Sequence, residues 1–357
     1  MFTVKYRTKP YVILCYEALF RNLKEGYRTH RKLTEDFNRF NAGYRGEKDV
    51  DYNLSLFPHK NFYIFHNIRL KIHNKNFQID TLIVSKTFLC IVEIKNLAGT
   101  IEYDPELHQL VQINGGKITA FQDPVLQAET QKMHLKAWLQ QFNMSIPIET
   151  LVVSSNPSTI IKIQQDDPVI YRKLIRKEGL HLHLKALTDN YTETVLSNIQ
   201  IKNLNNAILS GDIPHHPNLI KQYNIQKKHL IDGIVCPSCW QTAVERINKK
   251  WTCRSCTAEI KLLHERIILD YFLLFNNTIT NRQCRELLKI DSPSVMYYLL
   301  KSMKLHYVGK NSARKYLAQV LKIIHKTPIT RVSISLCFNY LINITLAAGL
   351  LSDTSRK

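Results

Sequence analysis

Two carboxylates and a lysine stand in one short stretch, where Phe77-Gln78-Ile79-Asp80-Thr81-Leu82-Ile83-Val84 and Phe88-Leu89-Cys90-Ile91-Val92-Glu93-Ile94-Lys95-Asn96 flank Ser85-Lys86-Thr87. Both runs are rich in β-branched and aromatic residues, and so short a turn predicts an antiparallel hairpin. With Lys86 at its centre, Asp80 lies six residues before and Glu93 seven after, so the carboxylates fall nearly opposite one another. Alternation along a strand puts Glu93 and Lys95 on one side and Val92 and Ile94 on the other. Asp80 and Glu93 offer the hard oxygens that suit Mg²⁺ or Mn²⁺. A metal there would acidify a water and neutralise charge on a phosphorane-like transition state, while Lys95 orients the water or shares that charge. The trio predicts metal-assisted phosphodiester hydrolysis. The competing reading is an ordinary charged hairpin with an Asp80–Lys95 or Glu93–Lys95 surface pair.

Cys236-Pro-Ser-Cys239 and Cys253-Arg-Ser-Cys256, thirteen residues apart, form a second constellation. Two thiolate hooks on a hairpin close one tetrahedral Zn²⁺ site with no open position, hence structural. Redox pairs are the alternative, but no βαβ pattern surrounds them.

Lys and Arg number 49 against 29 Asp and Glu, for a net charge of +20. Such a surface attracts polyanions, with nucleic acid first and an anionic membrane second. A hydrophobic fraction of 45% excludes a disordered basic tail on a small head. Cys15, Cys90, Cys284 and Cys337 lie singly in apolar surroundings, the usage of a reducing compartment, and the expected setting is the cytoplasm. Tyr11–Phe20 is too short for a secretory signal and contains Glu17. The uncharged run Val332–Leu351 includes Ser333, Asn339 and Asn343, which favours a packed terminal helix over a membrane span.

The elements that must hold these residues follow from periodicity. Residues 1–40 read as a basic helical lead-in, with a break at Ala42–Gly43. Helical spacing from Tyr44 places Val50 and Leu54 on one stripe, and Glu47, three residues before Val50, falls on that stripe. An unpaired carboxylate would be costly there. Extended segments follow at Tyr63–Ile72, Phe77–Ser85, Phe88–Ile94, Gly99–Tyr103 and Leu110–Ile113, then a helix over Pro124–Phe142 and a buried strand at Leu151–Ser154. This α/β unit extends to about 205. A polar linker (206–232), the zinc segment (233–262), a helical module (263–320) and an apolar tail (321–357) complete the chain.

Taken in order, Ala42-Gly43-Tyr44-Arg45-Gly46-Glu47, Gln78-Ile79-Asp80, Glu93-Ile94-Lys95-Asn96, Gly99-Thr100-Ile101 and Asp123-Pro124-Val125-Leu126-Gln127 resemble the nuclease-related domain (NERD) family, a branch of the PD-(D/E)XK nucleases. The resemblance covers about residues 40–155 and implies a restriction-endonuclease-like α/β core, a mixed sheet flanked by helices. It implies catalytic positions at Asp80, Glu93 and Lys95, a helical acidic position at Glu47 and a supporting polar one at Gln127. Ile79 stands where the superfamily pattern has a proline, at a variable position. The implied activity is a Mg²⁺- or Mn²⁺-dependent nuclease acting on DNA rather than RNA. The alternative is an inactive nucleic-acid-binding protein with a nuclease-like fold.

Downstream, Thr280 with Gln283 caps one short helix and Ser292-Pro293 starts another. With Tyr307-Val308-Gly309-Lys310 following, the segment resembles a winged helix-turn-helix. Ser294, Tyr297, Tyr298 and Lys301 are its recognition-helix candidates, and Lys310, Arg314 and Lys315 its phosphate contacts. That helix lacks arginines suited to guanine, which predicts weak sequence specificity. A helical module that binds protein is the alternative.

Overall fold

The computed structural model describes residues 2–56, 61–164 and 167–318. The Val332–Leu351 run and Cys337 lie outside them. The chain begins with β1 (Phe2–Lys5), α1 (Tyr11–Asn22), the single turn α2 (Glu25–Arg28) and the long α3 (Arg31–Ser55). Then come β2 (Tyr63–Ile72), β3 (Lys75–Val84), β4 (Leu89–Lys95), β5 (Thr100–Asp104), β6 (Gln109–Asn114) and β7 (Lys117–Gln122). Next are α4 (Pro124–Gln140), β8 (Ile148–Ser154), β9 (Ile160–Ile163), α5 (Pro168–Lys173), β10 (Leu174–Arg176), α6 (Leu180–Asn190), α7 (Asn198–Gly211) and α8 (Leu219–Gln222).

Six strands form the central sheet in the order β1-β2-β3-β4-β8-β10. β2, β3 and β4 are antiparallel, whereas β1 runs parallel to β2, and β4, β8 and β10 run parallel to each other. This is the expected mixed sheet. On one face Leu82, Val84, Leu89 and Ile91 pack with Leu135 and Trp138 of α4 and Leu204 and Ile208 of α7. On the other, Ile83, Cys90, Val92 and Ile94 pack with Val50 and Leu54 of α3 and Leu184 of α6. Alternation along β3 and β4 therefore sends Asp80, Glu93 and Lys95 to the α4 side. A smaller sheet, β7-β6-β5-β9, stands beside this core.

Three expectations change. The break at Ala42–Gly43 lies inside α3, which is continuous because Asn96 Nδ2 donates to Ala42 O at 2.7 Å and Gly46 lets the helix approach the sheet end closely. The lead-in is not only helical: β1 joins the sheet edge, and buried Lys5 pairs with Asp212 at 2.7 Å and donates to Asn67 O at 2.6 Å. The span 206–232 carries the end of α7 and α8, and Leu219, Tyr223, Ile225 and Leu230 pack on α1 and Leu33.

Beyond it, β11 (Val244–Ile247), β12 (Lys250–Cys253) and β13 (Glu259–Ile260) make an antiparallel ribbon. Then follow α9 (Leu263–Leu274), β14 (Thr278–Thr280), α10 (Asn281–Leu288), α11 (Pro293–Ser302), β15 (Tyr307–Val308) and β16 (Lys315–Leu317). The last strands pair in the order β14-β16-β15, so residues 309–314 connect β15 to β16, with Arg314 reaching Tyr297 of α11. α1 packs on α9: Cys15, Leu19 and Leu274 share one cluster, and Arg21 pairs with Asp270 at 2.6 Å.

Candidate active site

The β3–β4 ladder pairs Thr81 with Val92, and the same register carried one step further sets Asp80 across from Glu93. Directly opposed residues of an antiparallel pair share a face. Asp80 Oδ2 accepts the Ile94 main-chain N–H at 3.0 Å, which ties its carboxyl to β4. Glu93 is only 3% exposed. Its Oε1 accepts Lys95 Nζ at 2.8 Å and its Oε2 accepts Gln131 Nε2 at 2.8 Å. Lys95 Nζ also donates to Gln127 Oε1 at 2.9 Å.

α4 supplies both glutamines because its start is fixed. Asp123, 1% exposed, accepts from the main-chain N–H groups of Val125 and Leu126, and Pro124 occupies the first turn. Gln127 and Gln131 lie four apart on the face that looks down on β4. Gln131 was not anticipated from the sequence, although its spacing from Gln127 was the available signal.

On the other side of the acids sits a buried polar group. The Arg7 side chain, 3% exposed, pairs with Glu47 Oε2 through Nη1 and with Asp51 Oδ2 through Nε at 2.7 Å. Its Nη2 donates to Asp80 O at 2.9 Å and Thr81 Oγ1 at 2.8 Å. His66 Nδ1 lies 3.1 Å from Asp51 Oδ1. Glu47 is thus partnered, which answers the cost expected of it. Asp51 follows it by one helical turn and could have been found that way. Arg7 carries no local signal, because its partners are all distant in sequence.

Burial pushes the Asp80 carboxyl well above its ordinary range, and the charges of Glu93 and Glu47 reinforce the shift against the Ile94 N–H and Arg7. Glu47 is raised too, by burial, with Arg7 opposing. Burial holds His66 below its usual value although Asp51 favours its cation. These are the electrostatics of a site short of positive charge. Gln131 Oε1, buried next to Glu93, has no hydrogen-bond partner. Hard oxygens, mutual repulsion and an orphaned acceptor together fit a hydrated divalent cation held by Asp80 and Glu93. Among the described residues, Glu47, Asp80 and Glu93 do not close into a group of three whose ligand oxygens all lie within 4.8 Å.

The four cysteines do close to within 4.8 Å. Cys236 and Cys256 Sγ are 3.7 Å apart and Cys239 and Cys253 Sγ 3.6 Å. A regular tetrahedron with metal–sulfur bonds of about 2.3 Å has edges of about 3.8 Å, so the set is compatible with Zn²⁺ in a zinc ribbon. Main-chain N–H groups of Cys256 and Ser255 pull the Cys253 thiol down to about 6, whereas burial and the neighbouring thiols push Cys239 up to about 12 and raise Cys256, so without a metal the four sulfurs share protons unevenly. Arg28 stacks 4.7 Å over the Trp240 ring beside the first hook.

Around α11 and the β15–β16 strands Tyr297, Tyr298, Lys301, Lys310 and Lys315 are exposed. Arg314 lies half-buried, 4.3 Å over the Tyr307 ring and 5.8 Å from that of Tyr297, and so ties the β15–β16 hairpin to α11. Between Pro293 and Ala318 there is no acidic residue. Among the described residues no helix is long and apolar enough to cross a membrane.

Residues 42–155 match the nuclease-related domain family. The matched segment begins in α3 just before Glu47 and ends at Ser155 after β8, so it contains Glu47, Asp80, Glu93, Lys95 and Gln127, while Arg7 lies outside it. The chain is also 25% identical over 193 residues to an uncharacterized protein of Bacillus anthracis, covering 53% of this chain and 82% of that one. A solved structure, protein VC1899 from Vibrio cholerae, aligns at 12% identity with a TM-score of 0.24, over 51% of this chain and 50% of that one.

Proposed function

We propose that the chain is a divalent-metal-dependent nuclease that cuts DNA in preference to RNA, with Asp80, Glu93 and Lys95 at its centre. The observation that carries this is the double anchoring of Lys95 Nζ by Glu93 Oε1 at 2.8 Å and Gln127 Oε1 at 2.9 Å, on the sheet face it shares with Asp80. A surface ion pair has no need of a second acceptor reaching over from another element. Asp80 and Glu93 hold the ion, Mg²⁺ or Mn²⁺, which when bound acidifies a water and neutralises charge at the scissile phosphate. Lys95 points its ammonium at the attacking side and shares the charge that develops on the phosphate oxygens. Gln127 and Gln131 keep Lys95 and Glu93 in those orientations, and Arg7 fixes Glu47 beside them.

Tyr297, Lys301, Lys310, Arg314 and Lys315 grip the nucleic acid, chiefly through phosphate, and the four-thiolate site carries a structural Zn²⁺. Free, buried Cys15, Cys90 and Cys284 suit work in the reducing cytoplasm. The test is incubation of the purified protein with end-labelled DNA and RNA, single- and double-stranded, in Mg²⁺, Mn²⁺ or EDTA. Cleavage of DNA that needs the ion supports the reading. Binding without cleavage under every ion condition leaves a nucleic-acid-binding protein instead.

A further inference from the structure

Arg7 precedes the matched segment by 35 residues, yet it is the most heavily engaged cation of the site. It reaches two carboxylates, a hydroxyl and the main-chain oxygen of Asp80 itself. Burying an arginine this deeply is costly unless its charge is put to use.

A charge count shows the use. With a cation bound and all four ionised, Glu47, Asp51, Asp80 and Glu93 bring four carboxylates, and Arg7 and Lys95 two cations. Burial disfavours the His66 cation, so the ring is left out of the count. Two negative charges remain, which one divalent ion matches and two would overshoot. One stays in each half, since Arg7 offsets one of Glu47 and Asp51 and Lys95 one of Asp80 and Glu93, but the Arg7 fork already occupies Glu47 and Asp51, so only the Asp80–Glu93 half is open to an ion.

We propose that Arg7 is a built-in second cation: it takes Glu47 and Asp51 for itself, so that Asp80 and Glu93 bind a single divalent ion where the bare acidic cluster would bind two. Arg7 touches neither substrate nor ion, and is a positioning residue. The proposal rests on the reading of Asp80 and Glu93 as the metal ligands.

The experiment counts Mn²⁺ on the zinc-loaded full-length protein by the paramagnetic resonance signal of the free ion, with cleavage measured in parallel. Wild type binds one Mn²⁺, and Asp80→Asn, which loses it, assigns the ion to this site. Arg7→Gln, folded by near-ultraviolet circular dichroism, binds a second Mn²⁺ through the released Glu47 and Asp51 and cleaves at least about tenfold more slowly. Arg7→Lys keeps the charge and stays at one. Should Arg7→Gln not fold, Asp51→Asn reads the same balance: with one negative charge fewer, Mn²⁺ binds at least about fivefold more weakly, still at one per chain. Two ions on wild type, or Arg7→Gln and Asp51→Asn both indistinguishable from wild type, overturn the proposal. Wild type that binds no Mn²⁺ instead removes the metal reading on which it rests.

Discussion

A Cβ added to Gly46 would stand 2.3 Å from Ser155 Oγ and 2.5 Å from Asn96 Cβ. α3 therefore touches the ends of β4 and β8 at the residue before Glu47, and only hydrogen fits between. Gly46→Ala should improve the helix by about 1 kcal/mol on propensity alone. Overpacking of about 1–3 kcal/mol outweighs that. We expect net destabilisation in urea and a larger loss of cleavage than of stability, because Glu47 is levered away with the helix. Equal or greater stability together with full cleavage would refute the contact.

Glu93→Gln keeps the shape of a side chain that is 3% exposed but loses the charge Lys95 pairs with. Lys95→Met removes the ammonium. Each should slow cleavage by about 10²–10³, while anisotropy in EDTA finds nucleic-acid affinity within about threefold of wild type. Near-normal turnover in either variant would falsify the assignment.

Metal analysis should find about one zinc per chain in protein purified without chelator. Stripping it, or substituting Cys253→Ser, frees Trp240 from Arg28 and Trp251 from its place in β12. Tryptophan fluorescence should shift while the central sheet keeps its far-ultraviolet signal. An unchanged spectrum after complete zinc removal would argue against a structural ion.

Wing contacts are best tested by point changes. Cutting the chain near Gly233 would strip α9 from α1 and expose Cys15, Leu19 and Leu23. Lys310→Ala with Lys315→Ala should lower the log–log salt slope of binding by about 0.7–0.9 per lost phosphate contact. Arg314→Ala should cost more than one contact, because the guanidinium also braces Tyr307. A slope that stays fixed in all three variants would assign this face to another partner.

Much of this could be read locally. Asp80, Glu93 and Lys95 were legible because the β3–β4 turn is short and alternation has period two, and the four cysteines because metal hooks need fixed spacing. Capping residues Thr280 and Ser292 likewise marked the two short helices they begin. What stayed hidden depends on distant partners. Nothing near Arg7 announces Glu47 and Asp51, forty and more residues on. A break was expected at Ala42–Gly43 because the surface that α3 lies against there, Asn96 and Ser155, is assembled only by the fold. β9 and β10 are short, and they owe their state to neighbours in the sheet more than to their own residues.

Cys15 Sγ donates to Leu273 O at 3.3 Å across 258 residues of sequence. Synthesis therefore delivers α1 long before its partner α9 exists. The residues of the candidate site, from Arg7 to Gln131, all leave the ribosome while the apolar face of α1 is still bare on one side. Contacts of such separation close late and leave sticky surface exposed in the meantime. A ribosome stalled between α8 and α9 would hold a chain whose acidic site can assemble, but whose first helix invites chaperones or aggregation until Leu274 and Asp270 arrive.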